Sequence, residues 1–187
     1  MGEALGILSK CPVHHSIGWV GQYPTNFTVA AFGDGTQYNT LDTATIEELD
    51  TARYIFPMTY DGIAGVFFND SHNLDTAISD YAYIENVRTM DKACRAVRTY
   101  VLPLLGRPMQ VDSSSGRLAT HEVEYLTLTA NKALEDMEKA GELSGYKVEI
   151  DPDQDILSTS RVEMVIKPVG VGIMRTIHIK IGYTTSV

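Results

Sequence analysis

The sequence predicts an α+β fold in which two long amphipathic helices pack on a mixed, mainly antiparallel sheet. Three observations lead there. Apolar residues recur every three or four positions across 84–105, and again across 120–140. After Gly145 the period falls to two over three further segments. Helices grouped before strands, rather than alternating with them, mark this class. With 187 residues, 44% of them hydrophobic and 21% charged, the chain is long enough for one real core.

The first third is loop-rich. "ALGIL" offers a short helix, and "SIGWV" and "FTVAAF" read as short strands, the second closed by the turn "GDG" at 33–35. "DTATIEELDTARY" then gives a helix with Asp42 or Thr43 as N-cap. "YIFPMTY" and "AGVFF" are strands on either side of Asp61-Gly62, a hairpin dipeptide. The organisation expected is a loop-rich portion at 1–52 with short strands and one helix, then an α+β domain at 53–187. No linker separates the two, which leaves one continuous domain open.

In the centre, Ile84, Val87, Met90, Cys94, Val97, Val101 and Leu104 form the apolar stripe of the first long helix, ended by Pro103 and Gly106. Cys94 on that stripe reads as a packed thiol. The second helix starts near Thr120, carries Val123, Leu126, Ala130, Ala133, Leu134 and Met137 on one face, and stops at Gly141. "YKVEI", "RVEMVIKPV" and "MRTIHIKIGYT" alternate as strands. In the last, Ile177, Ile179 and Ile181 share a face expected to bury against the helices, while Thr176, His178 and Lys180 share the other.

Several kinds of chemistry fail on inspection. Net charge is −9, which disfavours binding to a phosphate backbone, and no apolar run is long enough to span a membrane. The opening "MGEALGILSK" lacks a basic n-region and does not read as a signal peptide, so Cys11 and Cys94 are expected to be free, buried thiols. Asp151, Asp153 and Asp155 alternate as a calcium loop begins, but Ile156 and Val162 occupy the places that need Gly and a bidentate acid. That stretch reads as a polar turn. "HEVEY" at 121–125 lacks the second His of a zinc helix, since Tyr125 stands there, and reads as a surface helix. His14 and His15, adjacent on a strand, would point to opposite faces. "GVG" at 170–172 has Arg175 where a third dinucleotide-site glycine would stand. No catalytic set, cofactor site or metal site is expected, and the chain does not read as an enzyme.

Charge on the helix faces is the remaining signal. Arg88, Lys92 and Arg95 form a basic stripe on the first long helix; Glu124, Glu135, Glu138 and Glu142 gather on a flank of the second. Such faces are either solvated or complementary contact surfaces in an assembly. The candidate interface residues are Arg88, Lys92, Arg95, Glu135, Glu138, Ile177, Ile179 and Ile181.

Residues 79–105, "SDYAYIENVRTMDKACRAVRTYVLPLL", resemble contractile tail sheath proteins. There an "IE..R..DKA...VR" segment opens the main helix of the C-terminal domain, matched here by Ile84, Glu85, Arg88, Asp91, Lys92, Ala93, Val97 and Arg98. The likeness continues through "GRPMQVDSSSGRLAT" and "GELSGYKVEIDPDQDILSTS" and upstream through "ARYIFPMTYDGIAGVFFNDSHNL". It points to the DUF2586-like branch. The resemblance covers only the C-terminal part of such proteins, which leaves open whether the chain is a piece of a longer parent. It implies a structural subunit of stacked six-fold rings around a tail tube, contracting on a baseplate trigger to drive the tube into a target cell. It implies strands shared between neighbouring subunits, tube and baseplate proteins as partners, and residence in a virion tail or contractile particle assembled in the bacterial cytoplasm. It implies no nucleic-acid or membrane partner. Another ring-forming tail protein, a tube or connector component, is the alternative, followed by a soluble enzyme with dispersed catalytic residues.

Overall fold

The computed structural model describes residues 1–183. Its elements run α1 (Gly2–Lys10), α2 (Thr43–Thr51), β1 (Pro57–Tyr60), β2 (Ile63–Phe68), α3 (Ile84–Val101), α4 (Thr120–Lys139), β3 (Gly145–Glu149), α5 (Ile156–Thr159) and β4 (Val165–Val169). The fold is α+β. Its strands pair antiparallel in two separate two-stranded sheets, β1–β2 and β3–β4.

The main core lies where α3 meets α4. Ala93 and Val97 pack on Ala130, Ala133, Leu134, Met137 and Leu143, with Tyr146, Val148, Met164 and Ile166 closing the cluster from the β3–β4 side. Small residues at the crossing let the two helices approach closely. The buried face of α3 is Glu85, Thr89, Ala93 and Val97. The expected stripe is therefore turned: Val97 belongs to it, but Cys94 is exposed. Two polar residues, Glu85 and Thr89, occupy the core-facing places where an apolar pattern would be sought, so the periodicity alone selects a neighbouring face. Cys11, by contrast, is buried.

α3 passes into a 3-10 turn at Leu102–Leu104, with Pro103 inside it, and Gly106 adopts φ +81°. α4 stops at Gly141, φ +73°, whose N–H bonds the Glu138 carbonyl at 2.9 Å. Its N-cap is Ala119, which offers no side-chain cap. α2 is capped as expected, with the Asp42 carboxylate accepting from the Thr45 N–H at 3.1 Å.

β1 and β2 form the hairpin around Gly62, φ +79°. Phe68 at its end packs with Ile7 of α1 and with Ile17, which is fully buried. The segments "SIGWV" and "FTVAAF" are not strands. Ile17 sits in a series of turns, and the second segment contributes one isolated bridge, Ala31 to Gln37. This part of the chain is held by packing and loop hydrogen bonds, such as the Thr25 N–H to the Val66 carbonyl at 2.8 Å. At Gly18 a Cβ would meet the Asp70 Cα at 3.0 Å, so the backbone there approaches β2's exit as only glycine allows.

The largest departure lies at the C-terminal end. Residues 170–183 form neither strand nor helix. Ile177, Ile179 and Ile181 are 66, 76 and 92% exposed, so they are not buried against the helices as expected. Alternation of this kind needs a partner strand before it becomes structure, and none is offered among the described residues.

Candidate assembly interface

Arg88 does not belong to a free basic stripe. Its guanidinium donates to the carbonyls of Leu8 at 2.9 Å and Cys11 at 3.1 Å, and lies 3.1 Å from the Cys11 thiol. These carbonyls close the C-terminal end of α1, where a cation complements the helix dipole and satisfies orphan acceptors. Arg88 thus fastens α1 to α3. Lys92 is also used internally: its Nζ lies 2.5 Å from Oε1 of Glu142, a side chain only 9% exposed. Only Arg95 of the three faces outward, 69% exposed and 4.0 Å from Asp91 on its own helix.

On α4, Glu135 pairs with Lys139 one turn on, at 2.5 Å. That hydrogen bond raises the Lys139 ammonium pKa above its ordinary value. Glu138 and Glu124 are exposed, whereas Glu142 is buried. The flank is divided like the basic stripe: part of it holds the chain together and part of it faces outward.

Sequence reasoning missed the buried acids. Glu85 and Glu122 are each 2% exposed and stand in the first turn of α3 and α4. Each continues the core stripe of its helix one turn toward the N-terminus: Glu85 with Thr89 and Ala93, Glu122 with Leu126 and Ala130. An acid is favoured there by the helix dipole, yet its burial demands partners. Glu122 receives Arg107 at 3.0 Å and lies 3.4 Å from the Gln110 N–H. Glu85 receives the Ser71 hydroxyl on one oxygen and Arg175 on the other. The readable signal was an acid in phase with an apolar stripe.

Arg175 is where the C-terminal segment meets the body. Its Nε donates to Asp70 at 2.8 Å, and its guanidinium stacks 3.4 Å from the Tyr83 ring centroid. Beyond it, Ile177, Ile179, Ile181 and Tyr183 (98%) are exposed. The two-stranded β3–β4 sheet leaves outer edges unpaired, with Val165 and Val169 of β4 51 and 58% exposed. Unpaired backbone edges and an exposed segment of alternating sequence in the same chain are the elements of strand addition.

The other candidate motifs are occupied by local structure. Asp151 accepts from the Asp153 N–H at 2.9 Å, Asp153 pairs with Arg117 at 2.5 Å, and Asp155 caps α5 through the Ser158 N–H at 3.1 Å. The expected plain turn thus contains a one-turn helix. His121 is exposed, while Glu122 beside it is the buried acid just described. His14 and His15 sit in a turn with ring centroids 4.3 Å apart, not on opposite strand faces. His15 Nδ1 lies 2.6 Å from the Tyr23 hydroxyl, and burial, with His14 adding, lowers its pKa. Among the described residues, no three His, Cys, Asp or Glu side chains gather as a metal site, and no helix is long and apolar enough to cross a membrane.

Comparison with known proteins agrees with this architecture. Residues 1–72 match the DUF2586 N-terminal domain, and residues 80–187 match the DUF2586 C-terminal domain. A protein of Haemophilus phage HP1, provisionally named as a tail sheath protein, is 36% identical over 107 residues, 57% of this chain. The matched stretch spans 27% of that relative's length, about a quarter of it. Among solved structures, the contracted sheath complex of the PVC extracellular contractile injection system is similar with a TM-score of 0.62 at 13% identity, covering 83% of this chain and 44% of that one. The baseplate of the anti-feeding prophage gives a TM-score of 0.60 at 14% identity, covering 84% and 44%. At these identities the likeness is one of fold. The family is fixed by the two domain matches: the chain belongs to the DUF2586 family.

Proposed function

We propose that this chain is part of a structural subunit of a contractile tail sheath, assembling in stacked six-fold rings around a tail tube and contracting to drive the tube into a target cell. The observation that carries the reading is the segment beyond Arg175. It is exposed, with isoleucines at every second position, and among the described residues the β3–β4 sheet of the body has open edges. Paired with a neighbour's sheet, each such segment ties two subunits while their bodies move as rigid units. The sheath name of the phage relative and the sheath complex of similar fold support it. The partners are other copies of the subunit, the tail tube and the baseplate; the setting is a phage tail or related particle assembled in the bacterial cytoplasm. The work is mechanical, with no catalytic step and no cofactor. Arg95 and Glu138, the outward members of the two charged flanks, together with Ile177, Ile179 and Ile181, are the contact residues.

Electron microscopy of the assembled full-length parent tests this. Tubes that occur in a long narrow and a short wide form support the sheath reading. Tubes of one fixed width would favour a tube component instead. A second reading, a baseplate or connector role, is favoured by the likeness to a baseplate assembly; isolated rings without tubes would select it.

A further inference from the structure

We propose that Arg175 is an ionic latch that fixes where the subunit body ends and its C-terminal arm begins. The inference rests on the sheath reading only for what the arm binds; the latch itself is a property of the single chain. After β4 the backbone passes Gly170 and Gly172, the natural places for a hinge because glycine restricts φ and ψ least. A hinge there would free the whole segment from 170 onward. The structure moves the boundary five residues along.

Glu85 and Asp70 present two carboxylates to one site, with side chains 2 and 13% exposed. Among the described residues, Arg175 is the cation paired with both. Its Nε reaches Asp70, its Nη2 reaches Glu85, and its face rests on Tyr83. Ser71, itself fully buried, completes Glu85 from the other side. Removing Arg175 would leave two desolvated like charges facing each other, so the body favours the arm's base strongly. A lysine, with one compact charge, cannot serve both acids and the ring in the same way. The arm proper then begins at residue 176. Its described part, 176–183, reaches at most about 26 Å when extended, enough to pair with an adjacent sheet.

Trypsin reads the latch directly, because Arg175 and Lys180 are both cleavage sites and lie five residues apart. On the unassembled chain, the bond after Lys180 should be cut at least tenfold faster than the bond after Arg175, whose guanidinium is held by Asp70 and Glu85 and stacked on Tyr83. In the Asp70→Asn/Glu85→Gln variant, which retains both sites, the two rates should converge while the circular dichroism spectrum is unchanged. Equal cutting at both sites in the wild-type chain would overturn the latch without recourse to any variant. Undiminished protection of Arg175 in the folded variant would also overturn it. No assembly is needed, so a failed latch and a failed sheath reading give separate signals.

Discussion

Lys92 Nζ and Glu142 Oε1 lie 2.5 Å apart and join the middle of α3 to the chain just past α4. Glu142 is buried, and its second oxygen has no hydrogen-bond partner among the described residues, so Lys92 supplies most of what compensates its desolvation. The Lys92 side chain is 41% exposed, which weakens the pair relative to a fully buried one.

Charge reversal therefore separates the three cations of α3. Lys92→Glu should destabilise the isolated chain by roughly 2 kcal/mol through repulsion with Glu142. Arg88→Glu should do so by a similar ~2 kcal/mol, by releasing the carbonyls of α1. Arg95→Glu should leave stability within about 0.5 kcal/mol, because its contact with Asp91 is exposed and long. Urea denaturation of the three variants checks this order. An Arg95→Glu chain as unstable as the other two would contradict it.

The α3–α4 contact should be intolerant of volume change. Leu134 is fully buried among Ala93, Val97 and Met137. Leu134→Ala should cost about 3 kcal/mol and lower Tm by roughly 6–12 °C. Ala133→Leu should also destabilise, because the helices have no room for the added atoms. Calorimetry of both variants checks the pair.

Acid should loosen the β3–β4 hairpin. Hydrogen bonds from Lys147 and Lys167 hold the Glu149 carboxyl down to about 2, from an ordinary value of 4.5. A depressed folded-state value means the stabilisation is present above pH 4.5 and is lost as pH falls toward 2. Wild-type and Glu149→Gln chains should thus differ in melting temperature at pH 6 and converge near pH 2. A constant difference across that range would exclude Glu149 as the titrating group.

Much of the fold was legible because local pattern and tertiary packing agree. The hairpin at Gly62, the Asp42 cap, both long helices and the β3 and β4 strands all follow from propensity and period. Failures occurred where a residue's role depends on a partner distant in sequence. Glu85 entered only as a position of the sheath-like motif, its burial unread, because its partner, Arg175, lies 90 residues away. Arg88 and Lys92 looked like a free stripe because α1 and Glu142 lie on opposite sides of α3 in the sequence, each far from it. Ile17 is buried by its surroundings without any strand to announce it. Ile177, Ile179 and Ile181 carry a strand pattern without a strand in the single chain. Alternation records what a segment is suited to pair with, and here no partner strand lies among the described residues.

The arm isoleucines should accordingly be silent in the isolated chain. Replacing Ile177, Ile179 and Ile181 together with Ser should shift Tm by less than about 2 °C, since exposed apolar side chains contribute little burial. A large loss of stability, read by thermal melting, would show that they pack on their own body.

The most direct test of the central claim is truncation of the full-length parent after Arg175, with sedimentation of assembled particles measured beside thermal melting of the unassembled subunit. The latch is kept and the segment that follows it is removed. The account predicts an unchanged melting temperature and a complete loss of fast-sedimenting sheath. Particles that form as in the wild type from the truncated protein would contradict it.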